Sequence, residues 1–310
     1  MKLTAVHLLV TFRCTRECDH CFVWGSPCQR GAMTVERVRQ VLEQAKELGS
    51  VEWVYFEGGE PFQYYAVLLS GARAAARMGF KVGVVSNAYW ATDVADAMEY
   101  LGPLAGLVDD FTVSADWYHW DPELRRHIEH AFAASEQLGI PFRVSCVMDP
   151  DCLERAGELG RLPIEEAPVM YRGRAAVKLA PGAKNRPWST LSCCGNEDLR
   201  EPSRVHVDPV GNVHVCQGIS IGRLDQETLR EICDSYDPDS NPVVSPLLEG
   251  GPVELALRYG LNHESTYADN CHACYEARAA LRGMFPEILT PDQMYGVCKE
   301  LDPLEGFSPH

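Results

Sequence analysis

The chain is poor in positive charge. Against 44 Asp and Glu it sets 28 Lys and Arg, a formal net charge of −16 over 310 residues. No basic stretch could track a phosphate backbone, which argues against nucleic acid as a partner. Long apolar runs are missing too, and none approaches the ~18 residues needed to cross a bilayer. The first residues hold one Lys and a short apolar stretch but no small-residue cleavage site, so no signal peptide is expected. There is no internal repeat and no low-complexity tract. These absences leave a globular, cytoplasmic protein with no membrane partner. Its length suggests about two domains, and 46% hydrophobic residues suffice for a good core.

Cysteine, by contrast, is plentiful, with 13 residues. With no secretory signal and a long chain, such cysteines bind metal or stay reduced. Cys14, Cys18 and Cys21 follow an apolar, β-branched run, Leu3 to Phe12, that reads as a strand. Three thiolates at C-x3-C-x2-C spacing grip three irons of a cubane [4Fe–4S] cluster. Closed ferredoxin clusters use four cysteines, so the fourth iron here stays open to a small molecule.

Strand-like and helix-like segments alternate through the first half. Candidate strands are 3–12, 52–57, 81–86, 110–114, 141–148 and 167–171. Candidate helices are 34–48, 62–78, 92–101, 122–138 and 151–159, with Thr34 as an N-cap and Gly49, Gly79 and Gly139 as stops. Six βα repeats argue an α/β fold with a parallel sheet closed into a partial (βα)6 TIM barrel over residues 1–180. Functional groups then belong at the C-terminal strand ends. Cys14–Cys21, Gly58–Pro61, Ser86-Asn87 and Ser114–Asp116 all fall there. Residues 181–187 read as a linker into a second unit, 181–310. That unit opens with a β-hairpin from Arg204 to Cys216 around Asp-Pro-Val-Gly-Asn. Residues 234–246 read as a loop, 247–259 and 291–301 as late helices.

The first cysteine motif together with Gly58-Gly59-Glu60-Pro61 resembles the radical S-adenosylmethionine (SAM) superfamily over roughly residues 1–180. The resemblance implies that Cys14, Cys18 and Cys21 hold a [4Fe–4S] cluster whose open iron is chelated by SAM. It implies that Gly58, Gly59 and Pro61 present backbone to SAM and that the Glu60 carboxylate meets its ammonium. Ser86, Asn87 and Ser114 would hold ribose and carboxylate, and Arg125 or Arg126 the SAM carboxylate. A low-potential donor of ferredoxin or flavodoxin type would supply the electron that yields a 5′-deoxyadenosyl radical.

A second set, Cys194, Cys216, Cys271 and Cys274, offers four thiolates, with Cys271 and Cys274 a C-x2-C pair on a turn. Four such ligands suit an iron–sulfur cluster or a zinc ion equally well. Gly211–Cys216 resembles the G-x4-C element of SPASM and twitch domains. Position 280 is Ala, so the further cysteines of a full SPASM domain are missing, and the match is to the shorter twitch domain with one auxiliary [4Fe–4S] cluster. Cys193 competes with Cys194 as a ligand, and Cys298 is a late outlier.

The aromatic segment 116–121 stands at the barrel mouth. His119 is a candidate base for the proton lost on oxidation, beside Asp116, or else part of an aromatic cover. Arg172 and Arg174 follow the sixth strand as anchors for an anionic substrate group or as contacts to the linker. The leading expectation is oxidation of a small molecule. The alternative is maturation of a ribosomal peptide, which the chain's start at the first barrel strand weighs against. A non-catalytic electron carrier or zinc scaffold is the third.

Overall fold

The structure is a computed structural model that describes residues 1–115, 122–148, 162 and 164–297. Six strands alternate with helices: β1 (Ala5–Thr11), α1 (Val35–Leu48), β2 (Trp53–Gly58), α2 (Tyr65–Arg77), β3 (Lys81–Ser86), α3 (Val94–Leu101), β4 (Asp110–Ser114), α4 (Pro122–Leu138), β5 (Phe142–Met148) and β6 (Ile164–Pro168). Neighbours pair in parallel from β1 through β6, the partial-barrel arrangement the alternation predicts. Local chemistry sets the pieces. Thr34 Oγ1 accepts the Arg37 amide at 3.1 Å to start α1, and Gly49 ends it in the left-handed region at φ 74°. Val38, Val41, Leu42 and Ala45 form the stripe that α1 buries against the sheet.

The chain continues through α5 (Arg174–Lys178), β7 (Arg186–Pro187), β8 (Arg204–Val207), β9 (Asn212–Cys216), β10 (Ile219–Arg223), α6 (Leu229–Ser235), α7 (Val244–Arg258), β11 (Thr266–Tyr267) and α8 (Asn270–Leu281). The predicted hairpin is β8–β9. Its first strand lies parallel to β1, so the sheet among the described residues runs β10-β9-β8-β1-β2-β3-β4-β5-β6. Asp208 holds the hairpin turn by accepting the amides of Val210 and Asn212 and a bond from Asn212 Nδ2.

Four boundaries differ from the sequence reading. The sixth strand is Ile164–Pro168 rather than 167–171, because its register on β5 runs from Val144↔Ile164 to Met148↔Pro168. The chain then turns away at Gly173, whose φ of 62° and close approach to Phe22 no side chain could match. Helix α7 starts at Val244, inside the expected loop, and bends at Gly250–Gly251. A Cβ on Gly251 would lie 2.4 Å from the Cys193 amide nitrogen, so the bend admits the cysteine loop. Cys271 and Cys274 sit in the first turns of α8, not on a turn. Asp269 caps this helix through the His272 amide, a signal the metal-ligand spacing obscured. Of the late helix at 291–301, the described part is one 3-10 turn, Asp292–Tyr295, stopped by Gly296 at φ 73°. The helix expected at 151–159 lies outside the described residues.

No helix among the described residues is long and apolar enough to cross a membrane.

Candidate active site

The loop after β1 carries the first three cysteines to the C-terminal edge of the barrel. Cys14 and Cys18 are buried and Cys21 half-buried, and all three line a cavity of about 300 Å³. The Arg16 amide donates to Cys14 Sγ at 3.4 Å, and the Gly25 amide to Cys21 Sγ at 3.2 Å. Burial, with help from the nearby Glu60, pushes the Cys14 thiol up to about 12, and burial also raises Cys21. Such thiols ionise only when a cation takes the charge, which is what a metal cluster does. The three therefore fit the iron cluster that their spacing suggests.

Glycines make the cradle. A Cβ on Gly59 would lie 2.0 Å from the Arg13 carbonyl oxygen, and one on Gly58, at φ 134°, 2.4 Å from that of Thr11. Both residues line the cavity, where bare backbone faces the space. The two non-glycine residues with left-handed backbone among those described, Trp24 and Ala88, also flank the site, just beyond Cys21 and Asn87.

Glu60 is a correction. Its side chain is fully buried, does not line the cavity, and is taken up by the protein itself. Oε1 accepts from the Phe62 amide and Ser86 Oγ, both at 3.0 Å, and Oε2 from the Asn87 amide at 2.7 Å. It caps the turn that begins at Pro61 and ties the end of β2 to the end of β3. Burial raises its pKa to about 7 against those three bonds. Ser86 is likewise occupied, donating to Glu60 and accepting from the Ala88 amide and Trp90 Nε1. Asn87 reaches the cluster loop, with Nδ2 3.0 Å from Thr15 Oγ1 and 3.5 Å from Cys14 Sγ. Ser114 lines the cavity as expected. Arg125 and Arg126 do not. They ride the outer side of α4, where Arg125 pairs with Glu129 at 3.1 Å in solvent. Asp116 and His119 lie outside the described residues.

The two arginines after β6 are built into the site. Arg174, 2% exposed, donates to the Cys18 carbonyl at 2.7 Å and the Gly25 carbonyl at 2.8 Å, and so clamps both ends of the cysteine loop. Arg172 lines the first cavity and also a second one. That second cavity is walled by Cys193, Cys194, Cys216, Cys271 and Cys274, so the structure brings the whole second set together. Arg172 Nη1 donates to Glu197 at 3.1 Å and to Cys216 Sγ at 3.3 Å. Burial alone would lower its pKa, but Cys216, Cys271 and Glu197 hold it cationic. On another wall Arg278, 1% exposed, is fixed through the Gln217 carbonyl at 2.8 Å. Burial raises the thiols of Cys194, Cys271 and Cys274. Of the adjacent pair, Cys194 is the more buried and Cys193 is exposed. Cys298 lies outside the described residues. Four thiols and two buried cations suit an anionic metal–sulfur group.

Sequence reasoning missed several members of these walls. Ser145, midway along β5 and opposite Ser114, joins the first cavity, and Asn196 Nδ2 donates to Cys271 Sγ at 3.1 Å in the second. Ser145 was findable as a polar residue within a candidate strand, whereas Asn196 carried no motif.

Comparison with known proteins agrees with this geometry. Residues 8–138 match the family model of the radical SAM superfamily, and this part of the chain is a radical SAM domain. The matched family implies a [4Fe–4S] cluster and SAM. YydG of Bacillus subtilis (strain 168), provisionally named a peptide biosynthesis protein, is 28% identical over 108 residues, 34% of each chain. The matched part thus spans about a third of that relative's length. Among solved structures, Streptococcus suis SuiB bound to S-adenosylmethionine gives a TM-score of 0.46 at 12% identity, covering 79% of this chain and 68% of SuiB. HydG, a maturase of the [FeFe]-hydrogenase, gives 0.40 at 17%, covering 55% and 44%.

Proposed function

We propose that this chain is a radical SAM enzyme and that it modifies a peptide, the reverse of the order that the sequence alone favours. The observation that carries this reading is the likeness to YydG, a protein provisionally named for peptide biosynthesis. When bound, the cluster and SAM supply a 5′-deoxyadenosyl radical that removes hydrogen from an unreactive carbon. Cys14, Cys18 and Cys21 hold the cluster, and Arg174 fixes the loop that carries them. The bare backbone of Gly58 and Gly59 and the polar edge of Asn87 and Ser114 position SAM in the cavity. Glu60 acts from behind, orienting the Asn87 amide.

Cys194, Cys216, Cys271 and Cys274 hold an auxiliary iron–sulfur cluster, with Arg172 between the two cavities. The reductant is a low-potential carrier of ferredoxin or flavodoxin type. The test is to incubate anaerobically reconstituted protein, SAM and reductant with short precursor peptides encoded beside the gene. Peptide-dependent 5′-deoxyadenosine with a mass or deuterium change in the peptide is expected. Turnover driven by small alcohols and indifferent to every peptide would restore small-molecule oxidation.

A further inference from the structure

The inward side of the sheet holds two histidines and a carboxylate that the reading above leaves unused. His7 stands on β1, Glu57 on β2 and His206 on β8, with His7 opposite His206 in the register. One donor atom from each lies within 4.8 Å of the other two. His7 Nδ1 is 3.3 Å and His206 Nε2 3.2 Å from the same Glu57 oxygen, Oε1. The three side chains are 15%, 9% and 15% exposed for His7, His206 and Glu57.

These are ion-pair distances without hydrogen-bond alignment, since His7 Nδ1 and Glu57 Oε1 are buried with no hydrogen-bond partner. The Gln217 amide nitrogen lies 3.4 Å from His206 Nε2. Gln217 itself is 5% exposed and leaves its Oε1 without a partner. A carboxylate oxygen and two imidazole nitrogens thus meet at contact distance, the His7 nitrogen and the Glu57 oxygen without a hydrogen-bond partner. A bound cation would satisfy all three groups at once.

The spacing fits one. Ligands bonded at ~2.0–2.2 Å around a tetrahedral ion stand about 3.3–3.6 Å apart, and the two short edges here, 3.3 and 3.2 Å, lie at and just below the lower end of that range. Two histidines and a carboxylate are also a ligand set that leaves a coordination position open. Tyr55 stacks on His7 at 4.7 Å and sets the ring's plane, as outer groups do around metal ligands.

We propose that His7, Glu57 and His206 bind one divalent transition-metal ion, zinc in type, on the inner wall of the barrel. Glu57 also lines the cysteine cavity, so this site adjoins the space assigned to SAM and substrate. It is separate from both cysteine sets and does not depend on the peptide reading.

The test uses full-length protein with its iron–sulfur content loaded, stripped of loose metal on a chelating resin and dialysed against micromolar Zn²⁺. About one zinc per chain is expected, with nitrogen and oxygen neighbours at ~2.0–2.2 Å in X-ray absorption rather than sulfur at ~2.3 Å. Glu57→Gln, near in shape, and His206→Ala should each weaken zinc retention by about tenfold or more at unchanged iron content. No retained zinc, a sulfur-dominated shell, or retention indifferent to both variants would overturn the proposal. If a variant fails to fold, the absorption spectrum of the unaltered protein decides by itself.

Discussion

The two cysteine sites differ in how they are made. The first comes from one loop of eight residues, closed down on glycine backbone, buried, and clamped by Arg174. The second is collected from three places: the loop at Cys193–Cys194, the end of β9 at Cys216, and the first turns of α8 at Cys271 and Cys274. Its thiols are more open to solvent, and two buried arginines stand among them. A site that must admit a small molecule to an open iron needs its wall brought close and held. The four-sulfur cluster proposed for the second site needs mainly converging ligands and compensating charge.

The sharpest way to break this comparison is to empty each site in turn. Replacing Cys14, Cys18 and Cys21 by Ala should drop iron in reconstituted protein from about eight to about four per chain and abolish SAM cleavage. Cys216→Ala should remove about four irons while leaving the spectrum of the first cluster in place. An iron content near four in the unaltered protein, lost entirely with the triple variant, would make the second set a zinc site or an incomplete one.

Space gives the next contrast. Gly59→Ala places its Cβ 2.0 Å from the Arg13 carbonyl, a backbone atom that cannot swing aside. A loss of about 3 kcal/mol in denaturant stability, with loss of the first cluster, is expected. Gly195, in the loop of the second cavity, has nothing within 4 Å of its would-be Cβ. Gly195→Ala should leave stability and iron content unchanged within error. Equal effects would mean that the second loop is held as tightly as the first.

How far the sequence carried the reading follows from the same difference. The grouping of the first set was legible because its cysteines are local and its glycines stand in an unbroken segment after a strand. The grouping of the second set was legible from thiol chemistry, but its setting was not. Spacing placed Cys271 and Cys274 on a turn, whereas Asp269 caps a helix there. The misplacements share one cause, which is that a residue type names a capability and not a direction. Glu60 is acceptor-only when ionised, and the protein's own amides took that capacity. Arg125 could pair with a carboxylate, and found Glu129 one helical turn away. His7, Glu57 and His206 carried no motif, since only the pairing of β8 with β1 brings them together.

The two arginine clamps allow a crossed experiment of smaller effect. Arg174→Lys keeps the charge and loses the fork that joins the Cys18 and Gly25 carbonyls. It should broaden or diminish the electron paramagnetic signal of the first cluster only. Arg278→Lys loses the hold on the Gln217 carbonyl beside Cys216 and should act on the second signal only. Loss of several-fold in SAM cleavage is expected for the first and not for the second. If either variant disturbs both signals, the sites are coupled, and Arg172, which lines both cavities, is the first place to look.

The last contrast concerns Glu60, the buried link behind the first site, whose effect is spread over a wide pH range. Its pKa in the folded protein is about 7, raised by burial from an ordinary value near 4.5. The folded state therefore binds the proton more tightly than the unfolded chain does. Between about pH 4.5 and pH 7 the native protein holds more protons, so stability falls as pH rises through this window. The full span is on the order of 3 kcal/mol, the contribution being complete below the lower value and gone above the upper. Denaturant titrations from pH 5 to pH 8 should show this decline, and Glu60→Gln should flatten it. The variant should also be less stable at low pH, because an amide NH2 set against the Phe62 or Asn87 amide repels where a carboxyl oxygen accepts. A slope that survives in Glu60→Gln would assign the pH dependence to another group and leave Glu60 ionised throughout, its charge held by the three donors around it.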